Sequence, residues 1–225
     1  MREVVLDTET TGLDPTAGHR IVEIGCIELE NHVPTGREFQ AYVNPEREMP
    51  AEAFEIHGLS GAFLAKHPVF ADVVGGFLEF IGDATLVIHN AAFDLGFINA
   101  ELARCTLAAL PSERAVDTVR MARRKHPGAP ANLDALCRRF GVDTAARTRH
   151  GALLDAQLLA EVYLALKGGR QPGLMLAATA AQAATVAAEL AATTPRAPRP
   201  HAPSDAERAA HEAFIDNVEK PIWRS

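Results

Sequence analysis

The chain opens on a short apolar run, Val4-Val5-Leu6, that gives way to turn-type residues between Thr8 and Gly12. This pattern predicts a buried strand ending in a loop. Arg20 to Glu30 (RIVEIGCIELE) alternates apolar and polar residues over most of its length, as a half-buried strand does. A third strand is expected from Arg37 to Val43, with Gly36 before it and Asn44-Pro45 closing it. Three strands joined by short links suggest an antiparallel meander. The period then lengthens. Phe70, Val73, Val74, Phe77, Leu78 and Ile81 recur at helical spacing, and Gly82 stops the pattern. Thr85 to Ile88 reads as a buried strand. Phe93 to Leu102, Asp117 to Lys125, Asn132 to Phe140 and Ala152 to Leu166 read as helices, the last ending at Gly168-Gly169. Strands first, then strand–helix alternation, imply an α/β domain whose mixed sheet carries helices on its faces.

Past Gly169 the character changes. Residues 177–203 hold 12 Ala and 4 Pro but only two large aliphatics, Val186 and Leu190, too little apolar area to offset the entropy of ordering. Helical spacing returns after Ser204, with Ala209, Phe214 and Val218, and Ser204 with Glu207 fits a capping box. The expected organisation is a domain over 1–169, a short peptide over 170–176, a flexible Ala/Pro linker over 177–203 and a docking tail over 204–225.

The 225 residues carry a net charge of −7, which argues at first against a nucleic-acid partner. Its distribution changes that reading: residues 114–149 hold nine basic side chains against Asp117, Asp134 and Asp143. An acidic body with one basic sector is compatible with gripping phosphates. No stretch reaches the ~18 apolar residues of a membrane span, so no membrane partner and a cytoplasmic location are expected. Cys26, Cys105 and Cys137 are odd in number and widely spaced, and reduced thiols are expected.

Chemistry is concentrated in three segments. In Asp7-Thr8-Glu9-Thr10-Thr11-Gly12, residues i and i+2 of a strand project from one face, so Asp7 and Glu9 present two carboxylates side by side. Such a pair resists ionisation unless a cation compensates, and hard oxygen ligands suit Mg²⁺ or Mn²⁺. His89-Asn90-Ala91-Ala92-Phe93-Asp94 adds a third acid, which by itself reads equally well as a helix-terminal carboxylate. His150-Gly151-Ala152-Leu153-Leu154-Asp155 adds a fourth, with a histidine five residues before it.

Taken together, the segments resemble the DEDD exonucleases of the histidine-bearing subclass, with Asp7 and Glu9 in the first motif, Asp94 in the second, and His150 and Asp155 in the third. The resemblance covers residues 3–168. It implies a ribonuclease H-like fold with a five-stranded mixed sheet, and two divalent cations, Mg²⁺ or Mn²⁺, held by Asp7, Glu9, Asp94 and Asp155. It further implies that Asp7 bridges both ions and that His150, an imidazole mostly neutral at cellular pH, is the general base. Substrate contacts are expected from Asp7, Glu9, Thr10 and Asp155, and from Glu52, His57 and Phe93, in segments that match the family's terminal-nucleotide region. Asp117 resembles a supporting position near the site, and a helix cap explains it equally well. His19, His32, His67, His126 and His201 have no partner at ligand spacing and are expected at the surface.

Longer matches, Leu86 to Asp94, His150 to Gln157 and Leu159 to Leu164, resemble the proofreading 3′–5′ exonuclease subunits of bacterial DNA polymerase III. That resemblance implies a DNA 3′ end as substrate, the polymerase alpha subunit as a partner, and room for a small accessory subunit. Gln171-Pro172-Gly173-Leu174-Met175-Leu176 looks like a sliding-clamp-binding peptide, with Gln171, Leu174 and Leu176 filling a preformed pocket. His211-Glu212-Ala213 and Ile222-Trp223-Arg224 resemble a polymerase-binding tail, in which Phe214, Ile222 and Trp223 are the anchors. The alternatives are a stand-alone exonuclease acting on RNA or single-stranded DNA, and a scaffold without catalysis.

Overall fold

The computed structural model describes residues 1–145, 147, 149–169 and 202–218. The chain divides into two units, residues 1–173 and 174–225, and the described helix of the second is taken by itself. Gln171, Leu174, Leu176, Ile222 and Trp223, and the linker except for 202–203, lie outside the described residues.

Five strands make one mixed sheet in the order β3-β2-β1-β4-β5: β1 (Arg2–Thr10), β2 (Ile21–Glu30), β3 (Val33–Tyr42), β4 (Thr85–Ile88) and β5 (Ala115–Asp117). The first three form the expected antiparallel meander, and β4 and β5 run parallel to β1. The central β1 is apolar on both faces and closed on both sides, as its unbroken Val-Val-Leu run demands. At one edge β3 is largely exposed and carries Pro34, Gly36, Arg37 and Glu38, residues that blunt pairing with another chain.

Alternation sorts β1 between two cores. Val4 and Leu6 face a cluster built on α3 (Phe70–Ile81) and α4 (Ala91–Arg104), with Phe77, Phe97 and Ile98 at its centre. Val5 faces the other cluster, built on α5 (Thr118–Lys125), α6 (Leu133–Phe140) and α7 (Ala152–Leu166). Asp7 and Glu9 continue the Val5 face toward α7, and Thr8 continues the Leu6 face toward α4. The even–odd pattern of one strand thus decides which helix each functional residue meets.

Several expectations need correction. The second strand is not half-buried: all of β2 but Glu30 is buried. Its polar positions are sequestered because they have partners, Glu23 at the start of α7 and Glu28 with Arg2 and Arg37. The third strand begins at Val33, because Asn31 and His32 take positive φ to turn the hairpin. Two helices, α1 (Ala51–His57) and α2 (Gly61–Leu64), occupy a stretch with no clear apolar period. The basic window is not one surface either. Arg114 donates to the carbonyls of Ile81, Gly82 and Ala84, Arg147 turns inward, and Arg149 lies over the Phe54 ring.

The three cysteines are unpaired, as expected. Among the described residues no helix is long and apolar enough to cross a membrane. In the C-terminal unit α8 (Asp205–Asp216) starts with the capping box expected from Ser204 and Glu207, and Phe214 is exposed on it.

Candidate active site

The parallel pairing of β1 with β4 ends at Leu6 opposite Ile88, while the pairing of β1 with β2 continues to Thr10. Beyond Leu6 one side of β1 is therefore open, and the chain leaving β4 fills it. Asn90 adopts the left-handed conformation (φ 69°) that asparagine tolerates, and α4 starts at once. Its first turn carries Asp94 to the Thr8 hydroxyl, which donates to Asp94 Oδ1 at 2.7 Å. On the other face, the first turn of α7 brings Asp155 toward Glu9. Each of these two carboxylates sits where the helix dipole favours negative charge.

The four acids come together. Ligand atoms of Glu9, His150 and Asp155 all lie within 4.8 Å of one another. Asp7 feels the charge of Asp94, Glu9 and Asp155, and Glu9 feels Asp155 and Asp94. Burial, followed by repulsion from those neighbours, raises the Asp7 carboxyl well above the ordinary range and pushes Glu9 up to about 8. Burial also raises Asp94, against the lowering effect of its bond from Thr8. Carboxylates packed this way need compensating positive charge, and a donor set of carboxylate oxygens, with one imidazole beside it, is compatible with hard divalent cations. The donor set suits Mg²⁺ or Mn²⁺.

His150 is exposed, with Nδ1 3.2 Å from Asp155 Oδ2, and its backbone N–H donates to the Ile56 carbonyl at 3.3 Å. Beside Glu9 opens a cavity of about 510 Å³, large enough for a nucleotide and lined by Thr10, Glu52, His57 and Phe93 among others. Of the expected contact residues, Glu9, Thr10, Glu52, His57 and Phe93 line this cavity, and Asp7 and Asp155 do not. The Thr10 hydroxyl is spent on the Gly12 carbonyl at 2.6 Å. Phe93 is half-buried, packs on Phe97 as the core reading expects, and also lines the cavity. His57 is buried and accepts from the Leu59 N–H at Nδ1, which leaves Nε2 to carry the proton. That Nε2 is buried with no hydrogen-bond partner of standard geometry, although the Thr10 backbone is close enough to act on the ring as an acceptor. Burial lowers the His57 pKa, which keeps the ring neutral. Asp117 caps α5 through the Val119 and Arg120 N–H groups, as the capping reading expects.

Four histidines expected at the surface are partly buried and engaged. His19 lines the cavity and meets the Thr11 hydroxyl at 3.2 Å, His32 contacts Glu3 at 2.5 Å, His67 packs on Tyr42 and Phe63, and His126 packs on Phe140. Their partners come from distant strands and helices, which ligand spacing along the chain does not reveal. His201 lies outside the described residues.

Two residues not singled out from the sequence hold the site in place. Glu23 pairs with Glu9 across β1 and β2, and its Oε2 accepts the Ala152 N–H at 3.1 Å, capping a helix whose own cap residue, Gly151, has no side chain. Gly25 pairs with Asp7, and a Cβ there would lie 2.2 Å from the Leu153 nitrogen and 2.3 Å from the Ala152 carbonyl carbon. The helix that carries Asp155 can approach β2 only over a glycine. Gly25→Ala is expected to displace the start of α7 and lower hydrolysis about 100-fold, the cost of misplacing a site residue by about an ångström. Steady-state rates on a labelled oligonucleotide check this, and a change under threefold would refute the requirement.

Residues 4–163 match the exonuclease family RNase_T. The chain is 48% identical to the DNA polymerase III subunit epsilon of Rickettsia felis over 224 residues, which cover 98% of each chain. It is 42% identical to the protein of the same name from Escherichia coli K12 over 241 residues, covering 100% of this chain and 98% of that one. Among solved structures, exonuclease X in complex with 5′ overhanging duplex DNA is 26% identical with a TM-score of 0.56, over 73% of this chain and 90% of that one. The nuclease domain of 3′hExo, a DEDDh family member bound to rAMP, shares the fold at a TM-score of 0.65 and 19% identity, over 74% and 92% of the two chains. With its acids gathered at the open end of β1 and its relatives matched along their whole length, this chain belongs to the exonuclease family, and within it to the DNA polymerase III epsilon subunits.

Proposed function

We propose that the protein is the 3′–5′ proofreading exonuclease of the replicative DNA polymerase III, removing mispaired nucleotides from a DNA 3′ end. The observation that carries this reading is the convergence of four carboxylates and an imidazole beside a nucleotide-sized cavity. Asp7, Glu9, Asp94 and Asp155 would hold two Mg²⁺ or Mn²⁺ ions. Bound there, such a pair stabilises the attacking and leaving oxygens of an in-line displacement. His150 takes the proton of the attacking water as the new P–O bond forms. The bond from phosphorus to the penultimate nucleotide's 3′ oxygen breaks, that oxygen takes up a proton from solvent to become the new 3′ hydroxyl, and a 5′-mononucleotide leaves. His57 Nε2–H donates to an oxygen of the terminal nucleotide, and Phe93 packs against its base or sugar. Glu52 stands at the cavity wall, and Thr10 shapes the loop around it.

Outside the catalytic body, we assign residues 204–225 to the polymerase alpha subunit and Gln171, Leu174 and Leu176 to the sliding clamp. The exposed Phe214 on α8 supports a docking role for the tail. A linker between body and tail keeps the nuclease at high effective concentration near the primer terminus. A small accessory subunit on the body remains compatible with this arrangement.

The test is excision of a 3′-terminal mispair from a labelled primer in Mg²⁺, compared with a fully paired one. His150→Ala is expected to slow excision on the order of 10³-fold with little change in melting temperature, the loss of a general base on an exposed side chain. Release of nucleotides from the 5′ end, or an unchanged rate in the variant, would overturn the reading. Removal of residues 204–225 is expected to abolish co-purification with the polymerase while excision of free primer persists.

A further inference from the structure

Arg147 is the one basic side chain of the 114–149 window that turns into the acid cluster. Its side chain is only 9% exposed. Nε donates to Asp155 Oδ1 at 2.6 Å and Nη2 to Oδ2 at 2.7 Å, so both oxygens of this carboxylate are gripped by one planar fork. Nη2 also lies 2.9 Å from His150 Nδ1, and Nη1 pairs with Asp134 at the start of α6. A guanidinium is always charged and only donates. His150 therefore accepts from Arg147 at Nδ1, and a neutral imidazole so held carries its proton on Nε2. The same guanidinium acts on Glu9, whose carboxyl it lowers against the prevailing upward push.

Two consequences follow from this geometry, and both rest on reading the acids as a metal site. A divalent cation at Asp155 draws on the oxygens that Arg147 already occupies, and it meets a fixed positive charge at ion-pair distance. Release of Asp155 by Arg147 would also free the acceptor nitrogen of His150. We propose that Arg147 is a tethered cation that competes with divalent metal for Asp155, weakening metal binding and coupling it to release of the His150 ring. Arg147 is a positioning residue, acting through Asp155 and His150. Asp134, 56% exposed, anchors the outer end of the guanidinium and so steadies the fork on Asp155.

Calorimetric titration of Mn²⁺ into the full chain without DNA tests the proposal, alongside melting curves in chelator and in Mn²⁺. Arg147→Gln is expected to bind Mn²⁺ at least tenfold tighter than the parent. It should melt lower in chelator and gain more from Mn²⁺, since ligand-induced stabilisation follows affinity. Asp134→Asn, which loosens the anchor and touches no metal ligand, is expected to tighten binding about threefold. Equal or weaker Mn²⁺ affinity in folded Arg147→Gln would overturn the proposal and make Arg147 an orienting group for Asp155. Should Arg147→Gln fail to fold in chelator, Asp134→Asn and Arg147→Lys decide, and unchanged affinity in both counts against competition. Absence of Mn²⁺ binding by the parent would instead defeat the metal-site reading beneath it.

Discussion

Asp7→Asn is expected to lower excision on the order of 10⁴-fold, equivalent to about 5–6 kcal/mol of transition-state stabilisation, while making the chelated protein more heat-resistant. Asp7 sits midway among the acids. It is raised first by burial and then by Asp94, Glu9, Asp155 and Glu23, so its ionised form is crowded by like charge. An amide of the same shape keeps the packing of β1 against α7 and removes that repulsion. Relief of about 1–2 kcal/mol raises melting by about 2–8 °C in a chain of this size. The metal response falls at the same time, because one of the four carboxylates that would hold the ions is gone. Single-turnover excision and melting curves at pH 8, in chelator and in Mg²⁺, measure both effects together. An Asp7→Asn protein that cuts at the parental rate, or that melts no higher than the parent in chelator, would contradict this account of the cluster. An ordinary core position shows no such opposition between stability and activity; a site that stores repulsion for a cation does.

Much of this site was legible in the sequence because its chemistry lies in short, local patterns. Asp7 and Glu9 share a face by strand parity alone, and Asp94 and Asp155 announce themselves as acids in the first turns of helices. What escaped was whatever depends on register between strands. Glu23 reads as the outward half of an alternating strand until its pairing with Glu9 places it under α7. Gly25 signals a close approach in any strand, but only the fold says that the approaching backbone is that of Ala152 and Leu153. Arg147 counts along the chain as one more basic residue in a basic window; only the fold pairs it with Asp155 and Asp134. The helix α1 was missed because AEAFEIH has little apolar period, its outer face being cavity wall and contact for the His150 loop. The strand β5 is three residues long, too short to show alternation, and was expected only through the family resemblance.

The stability of the chelated protein is expected to fall as pH rises from about 5 to about 8. Glu9 moves from 4.5 to about 8, because of burial and then the charges of Asp155, Glu23 and Asp94. Asp7 and Asp94 move in the same direction. A carboxyl whose folded pKa lies above its unfolded one binds more protons in the native state between the two values. Its contribution is therefore complete at low pH and lost as pH climbs through the folded pKa. For a shift the size of that on Glu9 the loss is on the order of several kcal/mol, and it levels off above about pH 8. Two effects oppose it. The rings of buried His57 and half-buried His89, lowered by desolvation, add stability as pH rises toward their unfolded value. Glu28, lowered chiefly by its bond from Arg2, contributes above its ordinary range and is lost as pH falls below it. The imidazoles are two and the raised acids three, with the larger displacement on the acids, so the net slope above pH 5 is downward. Together with Glu28 this puts the optimum of the chelated protein near pH 5. Saturating Mn²⁺ should flatten or reverse the slope, since deprotonated carboxylates are the form that binds it. Melting temperatures from pH 4 to pH 9, with chelator and with Mn²⁺, provide the measurement. A chelated curve that stays level or rises between pH 5 and pH 8 would mean that the four acids do not share one charge-starved cluster.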